Sequence, residues 1–170
     1  MRQFAARPPR GSLTNLATGE FREFRANPEK FKRQITADYT RVSVPGLSHK
    51  RLQYTGTNNP TVQLNLFHHE LIEADIQVPL DADLFFLESL IYPQQGQGVP
   101  SAGTPEVLFV WPRVISLRAV VTSVNFDYQR FATTDGRAIQ AVAELTLEEY
   151  RIRRITSDEV RQSGPFRGEG

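Results

Sequence analysis

Hydrophobic and polar positions alternate most persistently between Pro105 and Tyr150, where two long β-prone runs meet around Thr133-Thr134-Asp135-Gly136-Arg137. Gly136 offers the positive φ of a tight hairpin turn, and Asp135 before it can bond its own backbone, so the pattern predicts a hairpin. In the second arm Ile139, Ala141, Ala143, Leu145 and Leu147 share one face. Gln140, Glu144, Thr146 and Glu148 share the other, with Val142 the exception, which is the period of a half-buried strand. From Val114 to Val121 the first arm is apolar on both faces apart from Ser116 and Arg118. Such a strand is covered on one side by its own core and on part of the other by something that need not be this chain. An arm of about thirteen residues extends about 43 Å at about 3.3 Å per residue. A compact 170-residue domain has a radius of gyration of about 15 Å, so the hairpin crosses the subunit, bends sharply or protrudes. A strand split by a bulge near Arg118-Ala119 explains the length equally well.

The rest of the chain predicts shorter elements. Leu13–Leu16 and Glu20–Arg25 form a hairpin around Ala17-Thr18-Gly19, with Phe21 and Phe24 breaking its alternation. Asn27-Pro28-Glu29 is a turn, since proline pushes the preceding residue out of helical space, and Phe31 follows as an anchor. Ile35 to Val44 is polar with a few β-branched residues and ends at Val44-Pro45-Gly46-Leu47, which fits a type II turn. Leu52–Thr55 and Thr61–Phe67 are expected to pair through Gly56-Thr57-Asn58-Asn59-Pro60, with Val62, Leu64 and Leu66 on one face. Leu71 to Val78 fits neither period. A helix is predicted over Pro79–Tyr92, with Asp81 as N-cap, Asp83 complementing the helix dipole, and Leu80, Leu84, Leu87, Leu90 and Ile91 as its apolar stripe. The Gly/Gln-rich run from Gln94 to Thr104 reads as a rim loop, and Ser157 with Asp158 and Glu159 as a frayed helix start.

Composition narrows the function classes. The chain suits one domain, with a flexible Arg/Pro-rich arm over 1–11, a β domain over 12–150 and a basic extension over 151–170. It has no cysteine, which removes disulfides, thiolate metal sites and cysteine nucleophiles. Twenty basic against nineteen acidic side chains give a net charge of +1, and no membrane or sequence-specific nucleic-acid partner is expected from that balance. No apolar run reaches the length of a membrane span, and Met1–Arg10 lacks the apolar core of a secretory signal, so a soluble protein is expected.

Catalytic chemistry finds no support. His68 and His69 are neighbours on a strand and point to opposite faces, so they do not chelate one metal, and His49 lies in a polar loop. Asp81 with Asp83, and Glu148 with Glu149, read as a helix start and a strand end. Gly96-Gln97-Gly98 lacks the lysine and hydroxyl of a phosphate loop. Phe109 and Trp111 read as core or interface anchors. The expectation is a non-enzymatic protein with no catalytic residues, no cofactor and no metal.

In collinear order, Phe24-Arg25-Ala26-Asn27-Pro28-Glu29-Lys30-Phe31, Val44-Pro45-Gly46-Leu47, Leu52-Gln53-Tyr54-Thr55-Gly56 and Val62–Phe67 resemble the N-terminal domain of contractile injection system tube proteins. Pro105–Trp111 is similar to the family's Pro-Pro-x-Leu-x-Phe-x-Trp-Gly segment, Arg118–Val124 to its Lys-Gly-Val-Leu-Thr-Ser-Val, and Phe131–Tyr150 to its Phe-x-x-Asp-Gly…Glu-Tyr ending. Departures fall at Pro112-Arg113, where the family has glycine, at Ala119 in place of glycine, and at Gln140, often arginine. Members often continue into a LysM module, and this chain looks like a member without it.

The resemblance implies a mainly β (α+β) fold, an antiparallel β-barrel or sandwich of the tail-tube type with one flanking helix. It further implies a structural component of a contractile phage tail or related injection machine, made in the host cytoplasm and placed in the virion baseplate as an adaptor between tube and hub or spike. Its partners would be copies of itself in a ring, often of six, with the tail tube and hub, spike or other baseplate proteins. The termini would order on neighbours. An alternative is a cell-wall carbohydrate-binding β domain of such a particle, suggested by Tyr54, Tyr92, Trp111 and Tyr128. A glycosidase would need two carboxylates facing each other across a cleft, and the sequence shows no sign of them.

Overall fold

The computed structural model describes residues 9–28, 31–69, 71–73, 76–78, 80–94, 103–151 and 157. The strand periods of the sequence become an antiparallel seven-stranded sheet built from β1 (Ser12–Asn15), β2 (Phe21–Glu23), β3 (Phe31–Gln34), β6 (Thr61–His69), β9 (Glu106–Trp111), β10 (Ile115–Phe131) and β11 (Ala138–Glu149). Their order across the sheet is β2-β1-β9-β10-β11-β6-β3. Between β3 and β6 the chain makes a separate ribbon of β4 (Ala37–Val42) and β5 (Arg51–Thr57). A short hairpin of β7 (Leu71–Glu73) and β8 (Ile76–Val78) precedes the helix α1 (Asp81–Ser89).

The sheet curls. β3 and β9 stand four strands apart, which in a flat sheet at about 4.8 Å per strand would separate them by about 19 Å. Yet the rings of Phe31 and Trp111 meet with centroids 5.5 Å apart. Inside the curl, Leu13, Val62, Leu64, Leu66, Val107, Phe109, Ala143, Leu145 and Leu147 form one buried cluster with Phe24, with Phe86 and Leu87 of α1 and with Leu90 just after it. The result is a sandwich-like, mainly β fold, as expected. Among the described residues no hydrogen-bonded pairing closes it into a barrel.

The long hairpin does each of the things its length allowed. Its arms are central strands, β10 flanked by β9 and β11 flanked by β6, so they cross the subunit. They bend at an irregularity between Val121 and Ser123, not at Arg118-Ala119 as the sequence suggested. Thr122 is the extra residue, and its hydroxyl donates to the Thr146 carbonyl at 3.1 Å. A single inserted residue reverses which face later side chains take. Leu117, Ala119 and Val121 are buried before it; Val124 and Phe126 pack on the core after it. Two more register shifts, at Gln129 and Ile139, precede a tip that emerges from the sheet. The turn forms as predicted, with φ 73° at Gly136 and the Arg137 N–H donating to Asp135 Oδ1 at 3.3 Å. Most of this hairpin is thus covered by its own chain on the core side.

Three local expectations need correction. β5 pairs with β4, from Ala37↔Thr57 to Val42↔Arg51, and not with β6, which lies between β11 and β3. The turn at Pro45-Gly46 therefore closes the hairpin, with φ 87° at Gly46 and Leu47 N–H donating to Val44 O at 3.2 Å. Asp81 is the first helical residue; the cap position is Leu80, whose backbone is already helical and which makes no side-chain cap bond. α1 is also shorter than the predicted 79–92, although its apolar stripe is right: Leu80, Leu84, Leu87 and Leu90 are buried and Ile91 partly so. Phe86 joins them, and Phe24, which spoiled the alternation of the first hairpin, is buried against Phe109 at 5.9 Å.

Gly11 sits at the start of the described fold, not in an unattached arm. Its N–H donates to Asn27 Oδ1 at 2.8 Å, and Asn27 Nδ2 donates to Pro9 O at 3.0 Å. A Cβ at position 11 would lie 2.8 Å from the Phe24 ring. Residues 1–8, most of the Gly/Gln-rich loop and all of 151–170 except Arg151 and Ser157 lie outside the described residues, as does Glu29 of the predicted turn.

Candidate assembly surfaces

The β4–β5 ribbon is a long stretch of the described chain that the subunit leaves uncovered. From Lys32 to Asn59 every residue is exposed except the half-buried Val44 and Gly56. These include Ile35, Tyr39, Val42, Leu47, Leu52 and Tyr54, all large and apolar. A two-stranded hairpin is marginal in water by itself, and several large apolar side chains exposed on one ribbon make it a candidate interaction site. Its sequence makes a ribbon and not a core strand because the apolar residues are not confined to one face. Tyr39 and Tyr54 stand opposite each other with ring centroids at 5.7 Å, followed on the same face by Arg41 opposite Leu52.

The ribbon prolongs the β3–β6 pair and is held at its root. Asn58 donates from its backbone to Thr36 O at 2.9 Å and from Nδ2 to Thr36 Oγ1 at 3.1 Å. Asn59 Nδ2 reaches Glu148 Oε1 at 3.0 Å, and Glu149 N–H donates to Pro60 O at 2.8 Å. Gln34, Thr36, Thr57, Asn58, Asn59, Thr61 and Glu148 line an open polar cleft there. Among the described residues two further surfaces are open: the edges of β2 and β3, which pair with no other described strand on their outer side, and the hairpin tip with Tyr128 and Phe131 exposed. Unpaired edges offer N–H and C=O groups to a neighbouring strand.

Behind these surfaces a charged cluster fixes α1 to the sheet. Asp83 forms a close ion pair with Arg25, whose side chain is 6% exposed, and lies 3.8 Å from both Arg22 Nε and His68 Nδ1. Arg25 also donates to His69 O at 2.8 Å. Burial pushes the Asp83 carboxyl up, but His68 and Arg25 together outweigh it and hold the group below the usual carboxylate range. His68 is buried, and at 3.8 Å its Nδ1 is beyond hydrogen-bond reach of Asp83, so both ring nitrogens lack a hydrogen-bond partner among the described residues.

Residues considered for chemistry are dispersed. Asp83 serves the cluster above, Asp81 is exposed on α1, Glu148 holds Asn59, and Glu149 accepts from Arg33 and Arg151. His49 is exposed in the ribbon loop. The four aromatics considered for carbohydrate do not form a platform. Tyr54 packs on Tyr39, Trp111 on Phe31 and Tyr128 on Phe126, and Tyr92 is exposed beyond α1. Among the described residues no group of three or more His, Asp or Glu side chains is placed to hold a metal ion, and no helix is long and apolar enough to cross a membrane.

A curled antiparallel sheet with a flanking helix, open edges and a bare apolar ribbon defines a β-structured subunit built for assembly. The family model described as contractile injection system tube protein matches residues 12–157, and the chain belongs to that family. No curated protein matches it. Membership makes it a structural part of a tail or injection machine, assembling with itself and with other tail components.

The ribbon is the feature that reading the sequence missed. Its signal was present in Ile35–Val44, where apolar and polar residues share both faces, but that pattern also suits an ordinary surface strand.

Proposed function

We propose that the protein is the baseplate-end adaptor of the inner tube, a ring subunit that joins the tail tube to the hub and spike inside the assembled particle. The observation that carries this reading is the β4–β5 ribbon, which stands clear of the body with both faces exposed. A subunit in the middle of a uniform tube and one at its end both need two different patches for head-to-tail closure. An adaptor needs in addition a surface for an unlike neighbour, and the hairpin tip with Tyr128 and Phe131 supplies a second apolar patch. The chain would be made in the host cytoplasm and reach the virion by assembly. Fractionation of purified tails tests it. The adaptor role requires the protein in baseplate–tube fractions at a few copies per particle. Its absence from them, or a copy number in proportion to tube length, contradicts it.

A further inference from the structure

The net charge of +1 conceals a strong segregation. Residues 1–60 carry eleven Lys and Arg against four Asp and Glu, +7, whereas residues 61–150 carry four against twelve, −8. The exposed stretch around the ribbon follows the first pattern, with Lys32, Arg33, Arg41, Lys50 and Arg51 against Asp38 alone. On the outer face of β10, β11 and β6, near the hairpin tip, the acidic residues are Asp127 and Glu144. There the rows Asp127↔Val142↔Phe67 and Asn125↔Glu144↔Asn65 run side by side across β10, β11 and β6. Asp127, Glu144 and Phe67 are exposed and Val142 is half-buried. Glu144 has no ion pair among the described residues, and neither has Arg41.

The two surfaces match in order and spacing. On the ribbon an aromatic row, Tyr39–Tyr54, is followed two residues later by Arg41–Leu52. On the sheet an apolar pair, Val142–Phe67, is followed two residues later by Glu144–Asn65. Two residues along a strand are about 6.6 Å in both cases. Facing sheets pack about 10 Å apart, which sets the tyrosines over Val142 and Phe67 while Arg41 meets Glu144. We infer that the β4–β5 ribbon of one copy docks face-on across the outer face of β10–β11–β6 of a second copy, with Tyr39 and Tyr54 on Val142 and Phe67 and Arg41 paired to Glu144. In its own subunit the ribbon leaves that face uncovered, since Tyr39, Tyr54 and Phe67 are all exposed. Opposed patches on one subunit give a head-to-tail contact, which closes into a ring or runs as a helix. Segregated charge of this size also steers the encounter.

This docking rests on self-assembly and deepens it. Because the chain has no cysteine, engineered thiols report the contact cleanly. Full-length Arg41→Cys is mixed with full-length Glu144→Cys under mild oxidation, with Arg41→Cys plus Glu88→Cys, on the exposed side of α1, as the control. The docking gives a mixed disulfide at least about five-fold faster than the control, and slower as salt rises. Without thiols, Arg41→Glu weakens association of the chain about five-fold, the range of one exposed ion pair, and Glu144→Arg in the partner population restores it. Equal rates for both thiol pairs, or association indifferent to Arg41→Glu, overturn the docking while leaving self-assembly standing. Absence of any association by the unmodified chain up to millimolar concentration overturns both.

Discussion

Arg113 holds a left-handed conformation, φ 65°, in the turn closed by Val114 N–H donating to Trp111 O at 3.0 Å. Proline before it suits the first central position of a type II turn, whose second position demands positive φ. That conformation costs an arginine about 1 kcal/mol relative to glycine, offset in part by glycine's greater freedom when unfolded. Arg113→Gly should therefore stabilise the fold by about 0.5 kcal/mol, seen as a small rise in Tm. Gly11→Ala should do the reverse. Its methyl group would press on the Phe24 ring, at a cost of about 1–3 kcal/mol for overpacking, measured by urea unfolding. At Asp83 the folded-state pKa lies below the unfolded value, so its contribution is present above the unfolded pKa and is lost as pH falls through the folded one. Asp83→Asn should flatten the acid limb of the stability curve and, by removing the charge-assisted bond that Arg25 donates to the Asp83 carboxylate, cost about 2 kcal/mol near neutral pH.

Elements whose apolar residues keep to one face were legible in the sequence. β6 and β11 show Val62, Leu64, Leu66 and Ala141, Ala143, Leu145, Leu147 buried at every second position, because one face of each meets the core. β10 was harder. The apolar run from Val114 to Val121 looked two-faced, but Leu117, Ala119 and Val121 point inward, and the phase then reverses at Thr122. A bulge leaves no mark in composition, only a shift of alternation that a short window reads as noise. Deleting Thr122 should make Val121↔Leu147 and Ser123↔Thr146 consecutive regular pairs and leave Val124 and Phe126 on the core side, and we expect the variant to keep cooperative unfolding in calorimetry. The pairing of β5 was misjudged for a different reason. A ribbon exposed on both faces has no buried side to fix its register, so the Gly56–Pro60 loop was taken as its turn. In α1 the leucine stripe was plain, but the helical backbone of Leu80 displaced the expected cap by one residue.

At the scale of the whole molecule, most of the long C-terminal hairpin is a central part of the subunit's own sheet, and the β4–β5 ribbon, exposed along its length, is the surface we propose for contact with other molecules. Sequence motifs carried the family, and pattern alone did not, since an assembly surface is distinguished by what the fold leaves uncovered. Charge segregation was equally invisible in the total of +1. Replacing residues 36–57 by an Asn-Gly turn should leave the seven-stranded sheet folded, because from Lys32 to Asn59 no residue is buried in the core, and should abolish assembly. The most direct measurement is hydrogen–deuterium exchange of the ribbon amides in the dilute full-length chain and again in the assembled particle. The account requires slow exchange over Ala37–Thr57 to appear only on assembly, by at least about ten-fold in rate. Equally fast exchange in both states would contradict it.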